Sequence, residues 1–162
     1  MLYITQNIDG ISYAELMRVY EESNRKHGEK MYSRFTRPEK ILLAEQDLYS
    51  YLRSVLNAGG WFAVWEVSGC YQSALRLEPY AVGLLVTALE TAPETRNKGY
   101  ANALLHAVVQ YFSRVKIYAH IYSDNIISLH VHEKNGFVKV QDFAEFLDGS
   151  VSTEADTYML TP

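Results

Sequence analysis

Thr91-Ala92-Pro93-Glu94-Thr95-Arg96-Asn97-Lys98-Gly99-Tyr100-Ala101 is the stretch on which the reading of this chain turns. An apolar run over residues 81–91 leads into it. An amphipathic run follows, in which Ala101, Leu104, Leu105, Val108, Val109 and Phe112 share one helical face. The stretch is therefore a strand-to-helix junction. A helix start offers several N–H groups without an intrahelical acceptor, together with a partial positive charge. Gly99 lets an anion approach the backbone closely, and Arg96 and Lys98 add positive charge. The junction reads as a phosphate cradle or as a plain strand–helix turn. It is not a P-loop, because the G-x-x-x-x-G-K-S/T spacing is absent, and it lacks the G-x-G-x-x-G of dinucleotide binding.

Working outward, residues 61–67, 70–77 and 81–91 are strand-like. Ser68-Gly69 and Glu78-Pro79 separate them as turns, which predicts an antiparallel meander. Residues 2–8 read as a strand, punctuated by Asp9-Gly10. Ser12 with Glu15 has the spacing of a capping box, opening a helix whose Tyr13, Leu16, Met17 and Tyr20 share a face and whose residues 21–30 are solvated. Residues 31–44 carry no clear period, and Pro38 argues for a break. A second helix is expected over 45–57, stopped by Gly59-Gly60. Downstream, Val115, Ile117, Ala119 and Ile121 alternate as in a strand. Asp124 or Asn125 then caps a short helix through His132 that Asn135-Gly136 ends. Two last strands are expected at 137–146 and 155–160, either side of Asp148-Gly149-Ser150. The order predicts an α/β (α+β) domain over 1–162, with a mixed, mostly antiparallel central sheet and helices on both faces.

Composition narrows the function. The net charge is −4, from 15 basic and 19 acidic residues with no basic block, so no nucleic-acid partner is expected. No apolar run approaches the ~18 residues of a membrane span. The start, Met1-Leu2-Tyr3-Ile4-Thr5-Gln6, lacks the pattern of a signal peptide, and the lone Cys70 precludes an internal disulfide. The expectation is a cytoplasmic protein with no membrane partner. His130 and His132, two apart on a helix, point in different directions, so no metal site is expected.

Arg96-x-x-Gly99-x-Ala101 resembles the R/Q-x-x-G-x-G/A acyl-CoA motif of the GNAT acetyltransferase superfamily. Leu89-x-Thr91-x-Pro93 is similar to its lead-in, with Thr91 where valine is common. Downstream, Asn125-x-x-Ser128 and His132-x-Lys134-x-Gly136-Phe137 resemble its second motif, N-x-x-A-x-x-L-Y-x-K-x-G-F. The likeness spans roughly residues 60–145, while residues 1–60 match by element type only.

The resemblance implies acetyl transfer from acetyl-CoA, as co-substrate, to the amine of a small molecule or peptide. Arg96, Asn97, Lys98, Gly99, Tyr100 and Ala101 would hold the pyrophosphate. Leu89 and Thr91 would pair with the pantetheine arm in a splay between residues 81–91 and 115–122, with Asn125 and Lys134 contributing from the second motif. A homodimer is implied by the habit of the superfamily. An amine with pKa ~10.4 must lose a proton before it attacks. Glu90 reads as that base or as a carboxylate on a solvated face. His132 stands where many members carry a tyrosine acid. It reads as the donor to the leaving thiolate, since either form of the ring has an N–H, or as a packed residue. The rival reading is a non-catalytic acyl-CoA-binding or sensing module.

Overall fold

The computed structural model describes residues 1–162. Its elements in chain order are β1 (Leu2–Thr5), α1 (Tyr13–Val19), α2 (Glu21–Met31), α3 (Arg37–Asn57), β2 (Trp61–Val67), β3 (Cys70–Tyr80), β4 (Gly83–Thr91), α4 (Tyr100–Tyr111), β5 (Ile117–Tyr122), α5 (Ile126–Lys134), β6 (Val138–Gln141), β7 (Ala144–Glu145), β8 (Val151–Ser152) and β9 (Ala155–Leu160). Seven strands form one sheet in the order β1-β2-β3-β4-β5-β9-β6, and β7-β8 is a separate hairpin. Every pairing is antiparallel except β4 with β5, the two strands that α4 connects. A parallel pair needs such a crossover, and a helix is its usual form.

Side-chain alternation distributes the core over both faces of the sheet. Ala63, Leu75, Leu77, Val86, Ile117, Ala119 and Ile121 pack with Leu104, Leu105 and Val108 of α4. Phe62, Val64 and Ala74 pack on the opposite face with Leu16, Val19, Leu52 and Leu56 of α1 and α3. The central strands are thus covered twice, which is why β2 reads as a nearly continuous apolar run and β3 is buried along most of its length. No helix is long and apolar enough to cross a membrane.

Several local expectations change. The single helix expected from Ser12 is divided at Tyr20 into α1 and α2. Pro38 starts a helix rather than breaking one. Thr36 and Glu39 form a capping box, proline occupies the first turn where its missing N–H costs nothing, and α3 runs from Arg37. Pro79 lies inside β3 instead of in a turn. It sits past Leu77, the last β3 residue paired with β2, where β3 has a neighbour on one side only. The expected strand over 137–146 is interrupted, giving β6 and β7. At Ser12 half of the capping box forms: its hydroxyl accepts from the Glu15 N–H, while the Glu15 carboxylate accepts from the Tyr71 N–H at 2.9 Å and ties α1 to β3.

Gly83 is needed where β4 meets β5. A Cβ there would lie 2.1 Å from the Lys116 carbonyl oxygen, which accepts the Leu84 N–H. Gly83→Ala should cost ~1–3 kcal/mol, as overpacking does elsewhere. A thermal melt should show Tm several degrees lower; an unchanged Tm would show that the two strands can move apart freely.

Candidate active site

β4 and β5 pair at three positions, Leu84–Ile117, Leu85–Tyr118 and Val86–Ala119, and then part. β4 stays with β3 as far as Thr91, and β5 stays with β9 as far as Tyr122. Between them opens a groove of about 1160 Å³. The divergence coincides with a bulge. Arg76 faces Thr87 and Ala74 faces Glu90, so Ala88 and Leu89 together oppose Leu75. Ala88 takes φ 49°, a left-handed conformation unusual for a residue with a Cβ. The buried Tyr20 hydroxyl donates to its carbonyl at 2.8 Å and helps hold it there. The extra residue sends Leu89 toward the α4 side and Glu90 toward α2.

Beyond β4 a single 3-10 turn, Pro93–Thr95, carries the chain to the start of α4. Asn97 at φ 62° and Gly99 at φ 80° are both left-handed, and both line the groove. The N–H groups of Arg96 through Asn102 have no acceptor within the protein. Ala103 is the first to bond back, to the Gly99 carbonyl at 3.0 Å. This is the donor-rich helix start that the sequence suggests.

Leu89, Glu90, Thr91, Arg96, Asn97, Gly99, Tyr100, Ala101, Asn125 and His132 all line the groove. Lys98 and Lys134 do not; both side chains are exposed outside its wall. The Arg96 guanidinium turns across to Glu22 of α2 at 2.6 Å, so the loop offers its backbone more than this side chain. Asn125 spends its Oδ1 on capping α5, accepting the Ser128 N–H at 3.1 Å.

His132 is buried, and its Nδ1 lies 2.8 Å from the Ser128 carbonyl. A carbonyl only accepts, so Nδ1 carries the proton of the neutral ring and Nε2 is a bare lone pair with no partner. Burial holds the pKa below the ordinary histidine value, against a smaller opposing pull from that carbonyl. The proton-donor role expected of His132 therefore requires the imidazolium, a minor form at neutral pH. Glu90 is partly buried; burial raises its pKa, while the Ser23 hydroxyl bonded to it and the charges of Arg96 and Arg76 offset part of the rise.

The groove also gathers residues that the sequence reading passed over. Arg76 and Glu78 of β3, Thr87 of β4, His120 of β5 and Tyr51 of α3 line its α3 side, with Phe146 and Asp148 from the β7–β8 hairpin region. The Tyr51 hydroxyl donates to Glu78 at 2.8 Å and the Thr87 hydroxyl at 2.7 Å. The His120 ring sits edge-on to Tyr80 and Phe146, with its Nε2 buried and unpartnered. The available signal was polar residues at alternate positions of strands that are otherwise apolar.

The Acetyltransferase (GNAT) family model matches residues 16–137. No curated protein matches the chain. Among solved structures, PaiA N-acetyltransferase from Thermoplasma acidophilum in complex with coenzyme A superposes with TM-score 0.62 at 14% identity, covering 100% of this chain and 99% of that one. An N-acetyltransferase from Staphylococcus aureus Mu50 gives TM-score 0.66 at 12% identity, covering 97% and 98%. Ribosomal-protein-alanine N-acetyltransferase from Brucella melitensis gives 0.64 at 15%, covering 98% and 96%. These likenesses establish the shared fold, and the match over residues 16–137 takes in both the parted strands and the amide-lined loop: this chain belongs to the GNAT family of acetyltransferases.

Proposed function

We propose that the protein transfers the acetyl group of acetyl-CoA directly to a primary amine. The observation that carries this reading is the parting of β4 from β5, which ends at the unpaired amides of Arg96 to Asn102 on one side and at Glu90 on the other. A structure of the same fold, that of PaiA N-acetyltransferase, holds coenzyme A.

The residues fit such a ligand. The amides of the 96–101 loop and the α4 dipole would bind the pyrophosphate, with Lys98 adding charge at the loop's outer side. The parted edge of β4 at Leu89 and Thr91 presents main-chain groups suited to the amide-bearing pantetheine arm, as an added strand would use them. Asn125 adds polar surface across the groove. Lys134, exposed and outside the wall, has no part in this scheme.

Glu90 takes the proton from the attacking amine. Main-chain N–H groups along the parted β4 edge stabilise the oxyanion as the new C–N bond forms. The C–S bond then breaks, and the proton passes through solvent to the thiolate, an ion with conjugate pKa ~8.5 that needs little help to leave. The bare Nε2 of His132 is available to accept a hydrogen bond, and the ring shapes the wall.

Isothermal titration with acetyl-CoA and with CoA tests the donor site. Binding in the micromolar range is expected, and no binding by folded protein would defeat the reading. A screen of amines with detection of released thiol then separates transfer from mere binding; tight binding with no turnover would favour an acyl-CoA sensor.

A further inference from the structure

We infer that the acceptor half of the groove receives an amine that also bears a carboxylate, a free amino acid held by Arg76. The inference rests on the acetyl-transfer reading and goes beyond it to the acceptor.

Arg76 and Thr87 face each other across β3 and β4, and His120 is next on β5, one position past the Val86–Ala119 pair. This row lies on the sheet face away from α4. The Arg76 side chain is only 15% exposed, and its Cζ lies 4.8 Å from the centre of the Tyr51 ring. The cation–π contact with Tyr51 restrains the guanidinium. Its donors are nevertheless unmatched. Nε is buried without a hydrogen bond, 3.5 Å from Glu78, and neither Nη group has an acceptor in the protein. Glu78 is already committed to the hydroxyls of Tyr51 and Thr87. A planar fork of donors, held rigid on a groove wall, is suited to a planar anion.

The anion belongs to the acceptor because of where Arg76 stands. Along β3 it is two residues from Ala74, which faces Glu90, a backbone separation of roughly 7 Å. A positive group at one point and the carboxylate Glu90 at the other match the two ends of a zwitterion. Glu78 beside Arg76 offsets part of its positive charge, which suits a singly charged carboxylate better than a phosphate dianion. The unpartnered Nε2 of His120 adds a hydrogen-bonding group to the same wall.

The test compares leucine, phenylalanine, lysine and glycine with their methyl esters and decarboxylated amines, following thiol release from acetyl-CoA. At least one acid should exceed both of its carboxylate-free partners by ~10-fold or more in kcat/KM, the scale of a hydrogen bond to a charged group. Arg76→Ala should collapse that ratio. Arg76→Lys, which keeps the charge and loses the fork, should restore part of it. CoA affinity by titration and a thermal melt report the donor half and the fold separately. Amines acetylated with no preference for the carboxylate, or a preference that survives in Arg76→Ala, would overturn the acceptor assignment alone. Absent CoA binding in the wild type would overturn the donor reading and this one with it.

Discussion

Gly99→Glu should weaken acetyl-CoA binding by ~100-fold or more in a protein that still folds. A carboxylate ~4 Å from a phosphate at an effective dielectric of ~20 is repelled by ~4 kcal/mol, and the openness of the loop to solvent reduces this toward ~3. The fold tolerates the change because a Cβ at Gly99 meets nothing within 4 Å. The cost within the protein is the left-handed backbone at φ 80°, roughly 1–2 kcal/mol for a residue with a Cβ. That is affordable against the ~5–15 kcal/mol of a typical domain. Gly99→Ala carries the same strain without the charge, so its affinity should fall between wild type and Gly99→Glu. Titration with acetyl-CoA decides the matter. Unchanged affinity in a folded Gly99→Glu protein would show that the phosphates bind elsewhere.

What could be read without coordinates was what is local. The face of α4 follows from the spacing of Leu104, Leu105 and Val108, and the span of β9 matches the expected 155–160. Asn125 caps α5 as its residue type suggests. Pro38 shows where local reading divides: a proline breaks a helix in its interior but suits its first turn, and only the Thr36–Glu39 pair distinguishes the two. The donor-rich start of α4 was legible because glycine and a helix start act through the backbone. Side-chain directions were not. Arg96 is turned aside by Glu22, which lies far from it in sequence. Arg76, Glu78, Thr87 and His120 become neighbours only through strand register, and the bulge at Ala88 resets which side of β4 faces them. No period in one strand reports the register of another. The protonation of His132 likewise depends on the Ser128 carbonyl, whose distance is a property of the folded helix.

Glu90→Gln should lower kcat by ~10²–10⁴-fold, the range of general-base catalysis, with a smaller effect on KM for the amine. The amide keeps the shape of the carboxylate and an oxygen to accept from Ser23, so the groove should persist. It loses the ability to take a proton. The pH dependence is the sharper evidence. Only ionised Glu90 is a base, and burial raises its pKa above the ordinary 4.5 against the pull of Ser23, Arg96 and Arg76. In the wild type kcat/KM should therefore rise with pH through that raised pKa, and the acid limb should vanish in the variant. Stability should move the other way. Because the folded pKa lies above the unfolded one, the contribution of Glu90 to stability is full below the unfolded pKa and is lost as pH rises through the folded one. At pH 7 the buried charge is a cost that glutamine removes, so Tm of the variant should equal or exceed that of the wild type and converge with it in acid. A variant that loses activity while holding its Tm separates a base from a structural carboxylate. Turnover within about threefold of wild type at saturating amine, too little for general-base catalysis, would remove Glu90 from the chemistry.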